Sequence, residues 1–518
     1  MTRSVAVAQA ADYFDSGAFR ADLSRRVAFR TETGVAGRRA DLLAYLEQEM
    51  VPAAGRLGAT ARILDNPEAS GGPLLIARRQ EAAGLPTVLT YGHADVVLAE
   101  EHRWRAGLDP WRVTVEQDRW YGRGTADNKG QHTINLAALE QVLRARGGRL
   151  GFNLAILIET SEESGSPGLR EFCARHSADL AADVLIASDG PRVSAARPTV
   201  FLGSRGSAAF TLRVPLRERA YHSGNWGGVL RNPATVLASA VACLVDSRGR
   251  ILVPGLRPPP IPPAVRAALS TIGVGGGPGD PDIDDDWGEP GLTPAERLTG
   301  WNTLEVLSLA AGNPDTPVNA IPGSAHAHCQ LRFVVGTDVA GMTAALRGHL
   351  DQHGFPMVAI EPGEVMNASR ADPDGPWVRF ARASLERTAG APPALLPNLG
   401  GSLPNDVFTD ELALPTIWIP HSYPACAQHA PDEHLLAPLA RQALQLMAAL
   451  FWDLGEPSGH PRASREKESP GGASRLSARP EDLSQGDAAG QPEQERGAGL
   501  HGRTARRGRP DGGARGGR

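Results

Sequence analysis

Three short apolar runs in this chain each end in residues whose side chains carry lone pairs for a metal ion, and that repeated ending limits the folds open to it. Thr87 to Thr90 leads into Tyr91-Gly92-His93-Ala94-Asp95, Phe152 to Ile158 into Glu159 through Glu163, and Val184 to Ala187 into Ser188-Asp189. Such runs, followed by turn residues, read as strands buried on both faces, the pattern of a largely parallel sheet covered by helices. In an open α/β sheet the loops at the carboxyl ends of the strands converge on a ligand, so stretches distant in sequence can meet there. Amphipathic segments at Thr133 to Arg144 and Leu435 to Leu454 read as packing helices.

The middle of the chain has a different rhythm. Strand-like Ala208 to Val214 is followed by a helical Pro233 to Val245, strands near Thr303 to Leu309 and His326 to Val335, a helix from Ala340 to His353 and a strand at Met357 to Ile360. The order β-α-β-β-α-β predicts a small ferredoxin-like α+β domain. Pro254 to Thr299, rich in Pro, Gly and Asp, reads as a long excursion within it, and Gly273-Val274-Gly275-Gly276-Gly277 lacks the strand-loop-helix frame of a nucleotide loop. From about Ser458 onward there is no aromatic, Ile or Val residue, and that composition predicts a disordered tail. The expected organisation is a catalytic α/β domain made of 1–200 and 373–456, an inserted domain at 201–372 and a tail at 457–518.

Composition removes several classes of function. At 518 residues there is material for two or three folding units. Apolar residues make up 41% without a run long enough to span a bilayer, and Asp12 and Asp15 interrupt the apolar patch from Val5 to Ala11 before a signal-peptide core forms. A cytoplasmic protein without a membrane partner is expected. The net charge of -5 gives no general attraction to nucleic acid, and the arginine-rich end from Arg503 to Arg518 reads as part of a solvated tail. Cys173, Cys243, Cys329 and Cys426 are not paired at a metal-finger spacing and read as buried thiols.

His93, Asp127, Glu163, Asp189 and His429 are nitrogen and oxygen donors suited to zinc or a similar divalent ion. Singly, each has a plain structural reading: a satisfied core histidine, a turn Asp before Gly, a helix-capping Asp or a solvated acidic turn. At a strand end His93 and Asp95 face the same side, so the Asp95 carboxylate can orient the imidazole. In Gly122-Arg123-Gly124-Thr125-Ala126-Asp127-Asn128-Lys129-Gly130 the glycines permit a tight loop that presents one carboxylate, able to bridge two metals, beside a helix start. Glu162-Glu163 supplies adjacent carboxylates, one to bind metal and one to move a proton.

In order and approximate spacing, Tyr91-Gly92-His93-Ala94-Asp95-Val96-Val97, the Gly122 to Gly130 loop, Glu162-Glu163-Ser164-Gly165-Ser166, Ser188-Asp189-Gly190 and Gln428-His429-Ala430-Pro431-Asp432-Glu433 resemble one family. It is the co-catalytic zinc metallopeptidase family of aminoacylase, carnosinase, glutamate carboxypeptidase and acetylornithine deacetylase, and the resemblance spans roughly residues 15 to 455. It implies two divalent ions per chain, zinc expected and manganese or cobalt as alternatives. His93 and Asp189 would hold one ion, Glu163 and His429 the other, with Asp127 between them and Glu162 as general base. The inserted domain would serve as lid and dimerisation surface of a homodimer, with His222 of Tyr221-His222-Ser223-Gly224 reaching the partner subunit's active site to stabilise an oxyanion. Asn319, Arg332 and the loop Gly400-Gly401-Ser402 would contact substrate, the loop receiving its carboxylate end.

The sequence departs from that pattern in places. Asn398-Leu399 stands where carnosinase-like relatives often place an arginine that clamps a carboxylate. His421 competes with His429 for the last ligand position, and the Ala-Pro-Asp-Glu context favours His429. The expected activity is hydrolysis of a peptide or amide bond in a small substrate such as a dipeptide. The alternatives are an N-acyl-amino-acid deacylase and a noncatalytic binding protein of the same fold. No Gly-x-Ser-x-Gly elbow with a triad context supports a serine hydrolase.

Overall fold

Along the central strands apolar side chains alternate between two faces, and both faces are buried. In the strand Asn153–Glu159, Leu154, Ile156 and Ile158 join one hydrophobic cluster while Ala155 and Leu157 join another on the opposite side. A strand so placed needs helices above and below it, which is the layering of an α/β sheet. The computed structural model describes residues 2–456 apart from Ala36, Pro278 and Gly279, together with Pro461, so the expected tail otherwise lies outside the described residues.

Twelve strands build the two principal sheets. In chain order they are β1 (Thr60–Leu64), β2 (Leu74–Arg79), β3 (Thr87–His93), β4 (Asn153–Glu159), β5 (Val184–Ala187), β6 (Thr199–Phe201), β7 (Gly206–Pro215), β8 (Thr303–Ala311), β9 (Ser324–Phe333), β10 (Ala359–Met366), β11 (Ala394–Leu396) and β12 (Thr416–Trp418). The larger sheet runs β1-β2-β4-β3-β5-β12-β6-β11. Its centre, β4-β3-β5-β12, is parallel, as is the β6-β11 pair, and the remaining pairings are antiparallel. The helices used below are α1 (Arg3–Asp15), α2 (Lys129–Ala145), α3 (Pro233–Leu244), α4 (Met342–Gln352) and α5 (Ala437–Leu454). Buried residues of α1, α2 and α5 form one continuous core with one face of the larger sheet.

The smaller sheet is wholly antiparallel in the order β8-β9-β7-β10, and α3 and α4 pack on it around a separate core. That is the expected β-α-β-β-α-β arrangement. Its last strand lies later than the sequence pattern suggests, at Ala359–Met366 rather than Met357 to Ile360. Pro362-Gly363 resembles a break in the sequence, but β10 is an edge strand, where a proline without an N–H is tolerated, and its register against β7 shifts between Ala208 and Phe210. The helix expected from Thr133 begins four residues earlier, at Lys129. The excursion from Pro254 contributes short helices at Pro263–Leu269 and Pro294–Thr299, and Ile261, Val265, Leu269 and Ala295 join the core beneath the larger sheet.

Two chain segments connect the sheets, and they run side by side. Gly203–Ser204 pairs antiparallel with Ser369–Arg370. Gly203 is required there, because a Cβ at that position would meet the Ser369 carbonyl oxygen at 1.9 Å. No described helix is long and apolar enough to cross a membrane.

Trp418 on β12 is fully buried, stacks on Phe201 with ring centroids 5.7 Å apart and donates its indole N–H to Asn405 Oδ1 at 2.6 Å. Trp418→Ala is expected to cost about 3–5 kcal/mol in urea unfolding, and Trp418→Phe distinctly less. A cost below about 1 kcal/mol for the alanine variant would show that this ring does not wedge the sheet in place.

Candidate metal centre

The loop between Gly122 and Asp127 owes its shape to a carboxylate about three hundred residues away in sequence. Buried Glu433 accepts the backbone N–H groups of Ala126 at 2.8 Å and Asp127 at 3.1 Å on Oε1, and that of Gly124 at 3.0 Å on Oε2. Its Oε2 also accepts from Arg123 Nη1 at 2.8 Å. The turn then enters α2 so closely that a Cβ on Gly130 would meet the Thr125 carbonyl oxygen at 1.9 Å, which excludes every residue but glycine there.

Asp127 stands between two imidazoles. Its Oδ1 lies 3.0 Å from His93 Nε2 and its Oδ2 lies 3.0 Å from His429 Nε2, with the Gln428 side-chain amide on the same Oδ2. His93, at the end of β3, donates through Nδ1 to the Asp95 carbonyl oxygen at 3.0 Å, so Nε2 faces Asp127 and, at 3.5 Å, Asp189 Oδ2. His429 Nε2 lies 3.1 Å from Glu163 Oε2, and the residue is held at φ +60°, in the left-handed region. Glu162 Oε2 is 3.9 Å from His93 Nε2. The Asp95 carboxylate lies 3.4 Å from His93 Nδ1, and it accepts the N–H groups of Glu162 at 3.2 Å and Glu163 at 3.0 Å. It therefore positions the acidic turn as well as the ring.

Burial works against charge throughout this cluster. It drives the Glu162 carboxyl well above the usual range, opposed by His93 and reinforced by Asp189, Glu163 and Asp127. Burial and the Asp127 charge raise Glu163 to about 7 and also raise Asp189. At Asp127 burial is outweighed by the hydrogen bonds from His429 and His93, and its carboxyl is held low. His93 is pushed down by burial but carried well above its ordinary value by Asp127, Asp189 and Asp95; hydrogen bonds to Asp127 and Glu163 raise His429 to about 11.

Two buried carboxylate oxygens, Glu163 Oε1 and Asp189 Oδ2, have no hydrogen-bond partner among the described residues. Anionic oxygens turned inward without donors suit a cation, and donor atoms of His93, Asp127 and Glu163 lie within 4.8 Å of one another. Two imidazoles and three carboxylates are a donor set for zinc, manganese or cobalt. His421 is not part of this group: its Nε2 lies 2.9 Å from Ser188 Oγ and 3.2 Å from Asn135 Oδ1, and burial holds its imidazole well below the ordinary value.

The cluster forms one end of a cavity of about 1080 Å³ between the two sheets. Gly400, Gly401, Ser402 and Arg332 line it, and Arg332 Nη1 donates to Ser402 Oγ at 2.8 Å. Sequence reasoning did not single out Arg205, which lines the same wall. It is buried, donates through Nε to the Gly400 carbonyl oxygen at 3.0 Å, and leaves Nη1 without a partner among the described residues. Gly203-Ser204-Arg205-Gly206 was the available signal, a cation between small residues where the chain leaves the larger sheet. Asn398 instead binds the Thr299 carbonyl oxygen at 2.9 Å. Ile272 and Ile283 bring the excursion into the cavity wall. His222 and Asn319 lie elsewhere, together on an exposed ribbon in which His222 pairs with Ala320 and the Asn319 carbonyl oxygen accepts the Ser223 N–H at 2.9 Å.

A family profile described as Peptidase family M20/M25/M40 matches residues 89–453. The chain is similar to the Beta-Ala-His dipeptidase of Rattus norvegicus, 27% identical over 406 residues, which are 74% of this chain and 80% of that protein. It is likewise 27% identical over 353 residues to the Cysteinylglycine-S-conjugate dipeptidase of Corynebacterium striatum, over 65% of this chain and 74% of that one. The fold matches a crystal structure of human carnosine dipeptidase 1 with a TM-score of 0.71 at 22% identity, over 87% of this chain and 98% of that chain. It matches the di-peptidase Dug1p of Saccharomyces cerevisiae with a TM-score of 0.72 at 20% identity, over 88% and 100%.

Glu433→Ala removes three backbone acceptor contacts and leaves Arg123 buried without its carboxylate. It is expected to cost about 3–5 kcal/mol in chemical unfolding. Because the loop it holds carries Asp127, metal affinity in a competitive chelator titration is expected to fall about 10–100-fold. Unchanged stability and affinity would show that the loop is held by other contacts.

Proposed function

The chain belongs to peptidase family M20/M25/M40, a family of metal-dependent hydrolases, and on that footing we propose that it hydrolyses the peptide bond of a dipeptide with two divalent ions per chain. The observation that carries this reading is Asp127 set between His93 and His429, 3.0 Å from each, beside the unpartnered oxygens of Glu163 and Asp189. His93 and Asp189 would hold one ion and Glu163 and His429 the other, with Asp127 shared. Zinc is the ion we favour, with manganese or cobalt as substitutes. When bound, the ions polarise the scissile carbonyl and make the attacking water more acidic.

The remaining chemistry falls to the chain's own groups. Glu162 has no hydrogen bond from a described side chain and lines the cavity beside the donor cluster, which leaves its carboxylate to take the water's proton and return it to the leaving amine. Arg332, Ser402 and the free Nη1 of Arg205 form a cationic wall for the substrate's carboxylate end, the role that Asn398 cannot supply. The names of the two dipeptidase relatives support a dipeptide. An N-acyl amino acid presents the same amide and carboxylate to that wall, so a deacylase is the second reading.

We take 1–200 and 373–456 as the catalytic domain and 201–372 as lid and dimerisation domain. His222 and Asn319, exposed together and outside their own chain's cavity lining, would enter the partner subunit's site, His222 to stabilise the oxyanion and Asn319 to contact substrate. A cytoplasmic setting fits four free cysteines.

Glu162→Gln is expected to lower kcat by about 10²–10⁴ on a panel of dipeptides and N-acyl amino acids while metal content stays at the wild-type level. Turnover that survives the change would remove Glu162 from the mechanism, and absence of metal would favour the noncatalytic binding-protein reading. Preference for free or acylated amino termini decides between the two substrates. Arg332→Ala is expected to raise KM for substrates with a free carboxylate by about tenfold or more, with a small effect on their amidated counterparts. Mixing inactive His222→Ala and Glu162→Gln subunits should restore activity through exchanged dimers; no recovery would place His222 outside the partner's site.

A further inference from the structure

A second set of metal-type donors lies on the helical side of the smaller sheet, among residues that do not line the cavity. Cys243 is in the last turn of α3, while His349 is in the last turn of α4 and His353 is the residue that caps its C-terminus. One donor atom from each of the three lies within 4.8 Å of the others. The two rings are in contact, with centroids 4.2 Å apart and planes at 31°.

Each ring is anchored through one nitrogen. His349 Nε2 bonds to the Cys243 carbonyl oxygen at 2.8 Å, and His353 Nδ1 bonds to the His349 carbonyl oxygen at 2.8 Å. A carbonyl oxygen only accepts, so those nitrogens carry the protons. Nδ1 of His349 and Nε2 of His353 keep their lone pairs and make no hydrogen bond among the described residues. A neutral imidazole whose N–H is fixed by a backbone carbonyl is oriented as a metal ligand is. No described carboxylate comes within ion-pair distance of either ring. The Cys243 thiol donates to the Ala240 carbonyl oxygen at 3.0 Å and is half-buried, whereas Cys173, Cys329 and Cys426 are buried. Histidines can stabilise a helix C-terminus, and cysteine can fill a small apolar gap, but neither role requires two touching rings opposite a thiol.

We propose that Cys243, His349 and His353 bind a borderline-soft transition-metal ion, zinc(II) foremost, at a site separate from the hydrolytic centre. One thiolate and two imidazoles leave a fourth position for water, a combination that suits zinc and disfavours magnesium or calcium. Binding exchanges the thiol proton for the ion: the S–H bond breaks, an S–metal bond forms and the proton passes to solvent. The ion ties the end of α3 to the end of α4, cross-linking the helical layer of the smaller domain.

Cobalt(II) separates this site from the other, because the carboxylate and imidazole cluster contains no sulfur. Full-length protein stripped of metal and titrated with cobalt(II) should develop a near-ultraviolet thiolate-to-cobalt charge-transfer band that saturates once about three equivalents have been added, two of them taken by the hydrolytic centre, and that is displaced by zinc(II). The band should be lost in Cys243→Ser, which nearly preserves side-chain volume, and lost or strongly reduced in the double variant His349→Gln, His353→Gln. Saturating zinc should slow alkylation of Cys243 by iodoacetamide at least about tenfold. The proposal is overturned by absence of the band, by its persistence in either variant, or by an unprotected thiol. Should Cys243→Ser fail to fold, the double histidine variant and the alkylation rate decide the matter.

Discussion

Asp127, Glu162, Glu163 and Asp189 are buried side by side, and holding so many acidic groups out of water is the constraint around which the larger domain is arranged. Like charges repel most strongly where the surroundings screen least, so each carboxyl must be fixed by something other than its neighbours. Two further carboxylates do that work from behind. Asp95 accepts the backbone of the Glu162-Glu163 turn, and Glu433 accepts the backbone of the loop that carries Asp127. Asp127 also lies just ahead of the first turn of α2, whose partial positive end favours an anion. Glu162, Glu163 and Asp127 are free to face the cavity because Asp95 and Glu433 hold their main chain.

Charge is sorted across the cavity as well. His93, Glu162, Glu163 and Asp189 lie at or just beyond the ends of strands in the larger sheet, whereas Arg332 and Arg205 approach from β9 and from the segment leading into β7. A small molecule with a carboxylate at one end and an amide near its middle meets opposite chemistry at the two ends. In the proposed reaction that polarity orients the substrate before any bond changes, since reversing it would set carboxylate against carboxylate.

Much of this was legible in the sequence because it rests on local pattern. His93, Asp127, Glu163 and Asp189 follow apolar runs or glycine-rich turns, and the β-α-β-β-α-β order shows in periodicity alone. What could not be read depends on juxtaposition. Arg205 resembles any basic residue beside a glycine until Gly400 is folded against it. Glu433 belongs visibly to the motif of His429, yet its grip on Gly124, Ala126 and Asp127 spans the length of the domain. The edge strand β10 was hidden by Pro362-Gly363, which a central strand would not tolerate. Ile272 and Ile283 sit in a stretch whose composition suggests surface, and only the assembled cavity gives them a wall to form.

The paired crossing at Gly203–Ser204 and Ser369–Arg370 bears on the order in which the chain can acquire its structure during synthesis. Everything that β7 to β10 pair with lies between those two points, so the smaller sheet is complete once Met366 has emerged. The larger sheet is not. Its gap between β5 and β6 is filled by β12, and its helical cover by α5, both near the end of the described chain. A growing chain thus carries a finished insert on an open sheet, with β5 and β6 presenting unpaired edges until Trp418 is made. His429 comes later still, so the proposed metal-binding set is among the last features to be assembled, after the sheet that supports it has closed.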